Sequence, residues 1–338
     1  MILTLGVALG CLVTSTAALR RFARPLVNRV WPAVAVPVLA VGALLNAGSL
    51  LVVAGLLALA VAGRWPVVAG MGGWSPDELA ISVPEPLIVG LGAAAAALLL
   101  SARTLWRSGE LIVLLRRSDR LSRRLRSGGC PVVFVDDPAA DAFTVAGLRG
   151  CVVISRSLFA ELGADERRML IAHELSHLRR RHHLYLHAVD LAVAANPVLT
   201  PLSSAVRLGV ERWADEDAAA GLGPRAEAGR ALARTALVQA ALRRAAGARA
   251  DAHPATVLCA TAGGVPGRAQ ALMNRPAPRR SGLLFGLVAL LAVTGVLSLG
   301  SVVQIHDGFE HAEIGRHHIA REAVHPSARA DPPHVAVI

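Results

Sequence analysis

Four stretches with no charged residue set the terms for this chain. Ile2–Leu19, Trp31–Gly63, Leu87–Ala102 and Leu283–Val303 contain no Asp, Glu, Lys or Arg. Inside a bilayer no water is available to bond the backbone, so such a run crosses as a helix or not at all. At ~1.5 Å per residue, about 20 residues span a ~30 Å hydrocarbon core. The first, third and fourth runs fit one crossing each, over about 2–19, 87–105 and 281–303. The second run is long for one helix and short for two. It reads as one tilted span over 38–62, with Pro32 and Pro37 in its entry turn. A cleaved signal peptide is the rival reading of the first run, but no basic residue precedes it, whereas Arg20, Arg21, Arg24 and Arg29 follow.

The arginines give these spans a direction. Net charge is +11, and the basic residues are all arginine. They gather beside the apolar runs, after the first, after the third (Arg103, Arg107) and before the fourth (Arg275, Arg279, Arg280). Clustering of this kind marks the cytoplasmic side. Residues 107–280 are therefore expected inside, and both termini outside. Residues 64–86, with Trp65, Trp74 and three acidic residues, read as a short external loop. Nucleic acid is a weaker account of the charge, and no direct nucleic-acid binding is expected. Glu110–Arg126 carries leucines at helical spacing with interleaved arginines, as expected of a juxtamembrane helix on anionic lipid or a basic helix packed on the domain that follows. Residues 304–338 read as a short disordered tail, in which His306, His311, His317 and His318 offer at most loose metal binding. The four cysteines, Cys11, Cys130, Cys151 and Cys259, show no Cys-x-x-Cys spacing and demand no disulfide.

Between the third and fourth runs lies His173-Glu174-Leu175-Ser176-His177. Asp165 and Glu166 precede it and Arg179–Arg181 follow, the polarity that a helix macrodipole favours. Positions four apart share a helix face, so His173 and His177 can aim two imidazoles at one point. That arrangement suits Zn²⁺, with Glu174 beside the open coordination position as a general base. Downstream, Glu211-Arg212-Trp213-Ala214-Asp215 places two carboxylates at i and i+4. Two histidines and a glutamate are a standard catalytic zinc set. Glu211 is the third-ligand candidate, and Asp215 can accept the free ring N–H of a ligand histidine. The rival for both acids is a solvated face, since Glu216 and Asp217 follow. His182, His183 and His187 read as surface residues or as partners of the ligands. For the oxyanion donor the sequence leaves Arg207, Arg212 and His253 open.

In front of the zinc helix the period changes. Pro131–Val135 and Cys151–Ser155 are short β-branched runs, punctuated by Asp136-Asp137-Pro138 and Gly147–Gly150, and predict a small sheet. Ala142–Val145 is the candidate edge for pairing with an extended substrate; a plain structural hairpin is the alternative. Apolar Leu184–Leu199, interrupted by His187, Asp190 and Asn196-Pro197, reads as a buried or interfacial helix. Helices are expected over 211–220, 225–248 and 265–274.

The ordered set Ala142-Phe143-Thr144, Val152–Ser155, His173–His182, Asn196-Pro197 and Glu211–Asp215 resembles the M56 family of membrane metallopeptidases, which includes the β-lactam sensor-transducers. The resemblance covers about Cys130 to Asn274. It implies a mainly α membrane protein of about four transmembrane helices with a gluzincin-like α+β zinc peptidase domain. It further implies one Zn²⁺ on His173, His177 and Glu211, Glu174 as base, and peptide cleavage at the cytoplasmic face of a bacterial membrane in regulatory signalling. Protein or peptide substrates are implied, among them a BlaI-type repressor. Only about 35 residues follow the last span, so β-lactam sensing is not expected. The related M48 family of membrane quality-control proteases is the alternative. Its HtpX-like members place further spans between the two zinc motifs, where this chain has one broken apolar stretch. A non-enzymatic zinc-binding scaffold is the rival from another class, but a structural site is normally closed by four protein ligands.

Overall fold

A computed structural model describes residues 2–82, 86–126, 130–137, 141–147, 150–245, 257–258, 264–274, 278 and 281–324. The amino-terminal helices are α1 (Ile2–Arg29), α2 (Pro32–Ala62), α3 (Pro66–Gly72), α4 (Pro76–Ser82) and α5 (Leu87–Leu125). Strands β1 (Val132–Val135), β2 (Ala142–Val145) and β3 (Cys151–Ser155) follow, then α6 (Arg156–Glu161), α7 (Ala164–Arg179), α8 (His182–Ala195) and α9 (Pro201–Ala219). The chain continues through α10 (Arg225–Ala245), β4 (Val257–Leu258), α11 (Val265–Met273) and α12 (Gly282–Val324).

Among the described residues, three helices are long and apolar enough to cross a membrane: Pro32–Ala62, Leu87–Leu125 and Gly282–His311. The expected count of four is not reproduced. The expected first span falls within α1, which also carries the first arginine cluster and Pro25. The second run is one helix, with Pro37 one turn inside it. The third span does not stop at its arginines. The α5 helix runs unbroken for 39 residues, ~58 Å at 1.5 Å per residue and about twice the hydrocarbon core. The basic half of α5 buries Leu111, Ser118 and Ser122 and exposes its arginines, as an ordinary packed helix does. Likewise α12 passes residue 303, where a disordered tail was expected, and stays helical to Val324. No proline interrupts the sequence before Pro326.

The chain packs as two compact units. One unit comprises residues 1–10, 49–99 and 295–338. In it Trp74 meets Phe309 edge-on at 4.7 Å, over buried Ala60 and Leu79, and Trp74 Nε1 donates to Gly63 O at 2.8 Å.

The other unit comprises residues 11–48 and 100–294 and holds every zinc-motif residue. Its sheet has the order β1-β3-β2-β4. The central strand β3 is buried along its whole length and pairs parallel with β1 and antiparallel with β2. That explains its unalternating Cys-Val-Val-Ile run, since both faces are covered. Val152 and Ile154 pack with Leu158, Leu162 and Leu170 on one side, and Cys151 and Val153 with Val145 on the other. The expected free edge of β2 is partly closed, because β4 pairs with Thr144 and Val145.

The amino-terminal helices join this unit through polar contacts as well as apolar ones. Asn46 is fully buried; its Nδ2 donates to Ser15 Oγ at 2.9 Å, and its Oδ1 accepts from Asn196 Nδ2, also at 2.9 Å. Thr16 Oγ1 stands 3.1 Å from the same oxygen. Asn196 Oδ1 in turn accepts from Val198 N, so the Asn196-Pro197 corner between α8 and α9 is bonded to α2. Further along α9, Gly209 lets the helix approach α1 and α2. A Cβ there would stand 2.7 Å from Val36 Cγ2 and within 3.4 Å of both Val27 methyls. Valine branches at Cβ and cannot turn aside freely. Gly209→Val should therefore destabilise the detergent-solubilised protein by about 1–3 kcal/mol, seen as a lowered melting temperature. An unchanged melting curve would mean that α9 does not sit this close.

Candidate metal centre

The α7 helix buries Met169, Leu170, His173, Glu174, Ser176 and His177. His173 and His177 lie one turn apart on that face, their Nε2 atoms 3.1 Å from each other. The α9 helix starts at Pro201, where a missing N–H costs nothing. Its apolar face, including Val206, Val210 and Trp213, turns inward and carries Glu211 with it. One Glu211 oxygen is 3.6 Å from His173 Nε2, and the other is 3.6 Å from His177 Nε2. Ligand atoms from the three residues lie within 4.8 Å of one another.

These distances fit a tetrahedral metal ion. Ligand atoms ~2.0–2.1 Å from zinc stand ~3.3 Å apart at tetrahedral angles, against 3.1 Å between the two Nε2 atoms and 3.6 Å from each of them to a Glu211 oxygen, Oε2 for His173 and Oε1 for His177. Charge fits as well. Glu174, Glu211 and Asp215 are three buried or nearly buried carboxylates, and the one guanidinium among them is Arg268. With all three acids ionised, the surplus is two negative charges, which a divalent cation neutralises.

Each ligand is held from behind. Asp215 Oδ1 lies 3.0 Å from His173 Nδ1, where sequence reasoning expects it. Arg268, on α11 and only 4% exposed, donates from Nε and Nη2 to the two Asp215 oxygens at 2.7 Å each. Its Nη1 reaches Glu211 Oε2 at 2.8 Å. Behind His177 stands His182, fully buried, with their Nδ1 atoms 3.0 Å apart. Residues five apart on a continuous helix point ~140° away from each other. Arg181 adopts a left-handed φ of 52°, rare outside glycine, and that break folds α8 back so that the two rings meet. His182 also packs against Trp213, with ring centroids 4.9 Å apart. Glu174 is 3% exposed, and Thr144 Oγ1 on β2 lies 2.7 Å from its Oε2.

The electrostatics follow from these contacts. For His173, burial works against the charged form, but bonding and charge from Asp215 and Glu211 outweigh it and push the pKa up to about 10. A metal ion at Nε2 would replace that proton. His177 has no carboxylate of its own behind it, and burial lowers its pKa to about 4. Burial would raise Glu211, but Arg268 and the two histidines hold it well below the ordinary range. Glu174 is raised by burial, against opposing contributions from His173 and Thr144.

Other candidates stand elsewhere. Arg207 is more than half exposed and faces Asp190. Arg212 donates to Val27 O near the carboxyl end of α1. His253 lies outside the described residues. His183 and His187 face each other at 6.0 Å, away from the ligand cluster. In the other unit, His306 faces Glu310, and His311 Nδ1 lies 2.6 Å from Asp307 O; the side chains of His317 and His318 lie outside the described residues. The cation at the site, Arg268, and the hydroxyl on the base, Thr144, are the residues that sequence reasoning missed. Arg268 had one available signal: two carboxylates beside two imidazoles need a buried positive charge. Nothing in the sequence says which of 35 arginines supplies it.

An HExxH helix, a carboxylate brought to it by a second helix and three helices long and apolar enough to cross a bilayer are the features of a membrane metallopeptidase. The chain belongs to peptidase family M48, whose sequence profile matches residues 114–318. No curated protein and no solved structure matches it. The family match overturns the resemblance to M56. The most specific motifs in that resemblance, His173–His177 and Glu211–Asp215, are a zinc ligand set with its base, which any HExxH-ExxxD peptidase must keep. The feature taken to separate the two families, the lack of spans between the motifs, concerns only the length of an insertion. A role in signalling loses its support along with M56.

Two variants test this geometry. Arg268→Met removes the guanidinium from Asp215 and Glu211 and leaves protonated His173 as the one cation beside both among the described residues. It should destabilise zinc-free protein by about 3–5 kcal/mol, measured by thermal unfolding in detergent. His182→Ala removes the partner of His177 and should weaken zinc binding ~10–100-fold, measured by chelator competition. Wild-type affinity in the second variant would show that His182 only fills space.

Proposed function

We propose that this protein is an integral-membrane zinc endopeptidase that cleaves protein substrates at the cytoplasmic membrane face. The convergence of His173, His177 and Glu211 around one point, with Glu174 on the same helix, carries this reading. His173, His177 and Glu211 hold the metal. When bound, Zn²⁺ supplies a Lewis acid for the scissile carbonyl and makes water a better nucleophile near neutral pH. Glu174 takes the proton of the attacking water and passes it to the leaving amine. Burial raises the affinity of Glu174 for a proton, which brings it toward the working pH of a group that must both accept and release one. Thr144 engages Oε2 and leaves Oε1 to the reactants. Asp215 keeps His173 in the tautomer whose Nε2 is a ligand, and Arg268 fixes Asp215.

The cytoplasmic placement is supported by the arginines that follow the third apolar run and precede the last. A BlaI-type repressor as substrate rested on the M56 resemblance alone and is not part of this proposal. Family M48 membership supports the reading as a membrane protease of quality-control type.

The experiment pairs wild type with Glu174→Gln, both purified in detergent and incubated with an unfolded model protein. Both should hold one zinc per chain. Cleavage should fall about 10²–10⁴-fold in the variant, the usual contribution of a positioned general base, and a strong chelator should abolish it in wild type. Equal cleavage by the two proteins, or a wild type without stoichiometric zinc, would refute the proposal.

A further inference from the structure

Beside the ligand cluster, α7, α10 and α11 enclose a cleft of about 90 Å³. It reaches His173 and Glu174 at one end, so whatever fills it sits next to the reacting bond. Met169 and Leu170 on α7 and Leu232, Ala236 and Ala240 on α10 form much of its wall. The three α10 residues recur at i, i+4 and i+8 and make one apolar stripe. Ala236 is half-buried and Ala240 is exposed at the mouth.

Away from His173 and Glu174 at its catalytic end, the polar side chains of the lining already have hydrogen-bond partners. Arg243 Nε donates to buried Asp141 at 2.6 Å, and Gln239 Nε2 donates to the same carboxylate at 3.0 Å. Arg268 is bound to Asp215 and Glu211. Thr235 Oγ1 donates to Ala231 O within its own helix. An acidic occupant would find each guanidinium already neutralised by a carboxylate, and a basic one would find Asp141 already held by Arg243 and Gln239, with Glu174 committed to the reacting water. Either would lose its hydration with nothing equivalent in return. An aliphatic occupant loses nothing and buries apolar surface on both sides. For scale, an apolar cavity of ~150 Å³ accepts a benzene ring, so this cleft suits a branched aliphatic chain.

We propose that this cleft is the subsite that selects the residue beside the scissile bond, that it takes an uncharged aliphatic side chain of valine or leucine size, and that Ala236 and Ala240 set its depth. The proposal rests on the peptidase reading above and adds to it the class of side chain that the enzyme prefers.

The test uses full-length, zinc-loaded protein in detergent and two sets of fluorogenic peptides. Each set varies one residue, on one or the other side of the cleaved bond, through Gly, Ala, Val, Leu, Phe, Asp and Arg. Cut positions are read by mass spectrometry. In one set wild type should favour Val and Leu over Gly, Asp and Arg at least ~10-fold, as filling a fitted apolar pocket does. Ala236→Phe fills the cleft and should invert the Leu-to-Gly ratio. Ala240→Leu, at an exposed position that any fold of α10 tolerates, should lower the same ratio and guards against misfolding of the first variant. The ratio is the readout, so a change in overall rate does not affect the outcome. Equal cleavage of charged and aliphatic peptides in both sets, or an unchanged ratio in both variants, would overturn the subsite. Zinc-loaded wild type that cuts no peptide would instead overturn the peptidase reading, and the subsite with it.

Discussion

One guanidinium organises the metal centre. Arg268 bonds both oxygens of Asp215 and one of Glu211 from a position with almost no contact with water. Two carboxylates this close, beside a third on Glu174, would repel one another and take up protons if left alone. Taking charges out of water costs several kcal/mol per ion unless partners are aimed at them. Arg268 supplies that aim in three directions from one planar group, as a lysine could not. It holds α11 to α9 and aims two acids at the histidines of α7. The surplus negative charge that remains is what gives the cluster its appetite for a divalent cation.

The same helix that carries Glu211 is tied to the amino-terminal helices. Gly209, Glu211 and Arg212 are near neighbours on α9. Gly209 lies against Val27 and Val36, and Arg212 caps a carbonyl near the end of α1. One helix turn before α9, Asn196 bonds Asn46 inside a cluster whose members are all buried. Polar side chains buried between apolar helices must bond each other, and such bonds fix register more than they add stability. Glu211 therefore takes its position from α1 and α2 as much as from the helices around it. That is a physical reason for this unit to include Cys11–Gly48 rather than begin after the third apolar run.

How much of this could be read in advance depended on how local the cause was. The spacing of His173 and His177, and of Glu211 and Asp215, is fixed by one helical turn. Each pair therefore shares one helix face, and Asp215 lies 3.0 Å from His173. The strand of Val152–Ser155 is equally local. Arg268, Thr144 and the β4 pairing of β2 depend on distant segments coming together, and no periodicity announces that. His182 lies between these extremes. Its spacing from His177 argues against contact on one helix, and only the left-handed turn at Arg181 reverses the conclusion. Family assignment failed for a related reason. Chemistry fixes the zinc motifs across families, so they say what the site does and little about its lineage. The ends of α5 and α12 differ from expectation because the end of an apolar run, at arginines in α5 and at Val303 in α12, marks where a bilayer stops, and a helix has no reason to stop there with it.

The two ligand histidines are backed differently, and the difference has a consequence. His173 leans on a carboxylate, whereas His177 leans on a neutral imidazole whose own pKa burial depresses to about 2. A second carboxylate in place of His182 would make His177 a stronger donor, but it would add a negative charge that Arg268, already committed to Asp215 and Glu211, could not offset. A cation bound there would then be over-neutralised and would pull less on a substrate carbonyl. A neutral partner orients the ring without that penalty. His177 Nε2 must be free to bind metal, so its proton sits on Nδ1 and is donated to His182 Nδ1, which places the His182 proton on Nε2. That atom has no hydrogen-bond partner among the described residues. A buried donor left unbonded costs about 1–3 kcal/mol, a cost that makes sense if the ring is kept for what it does to His177 rather than for its own contacts.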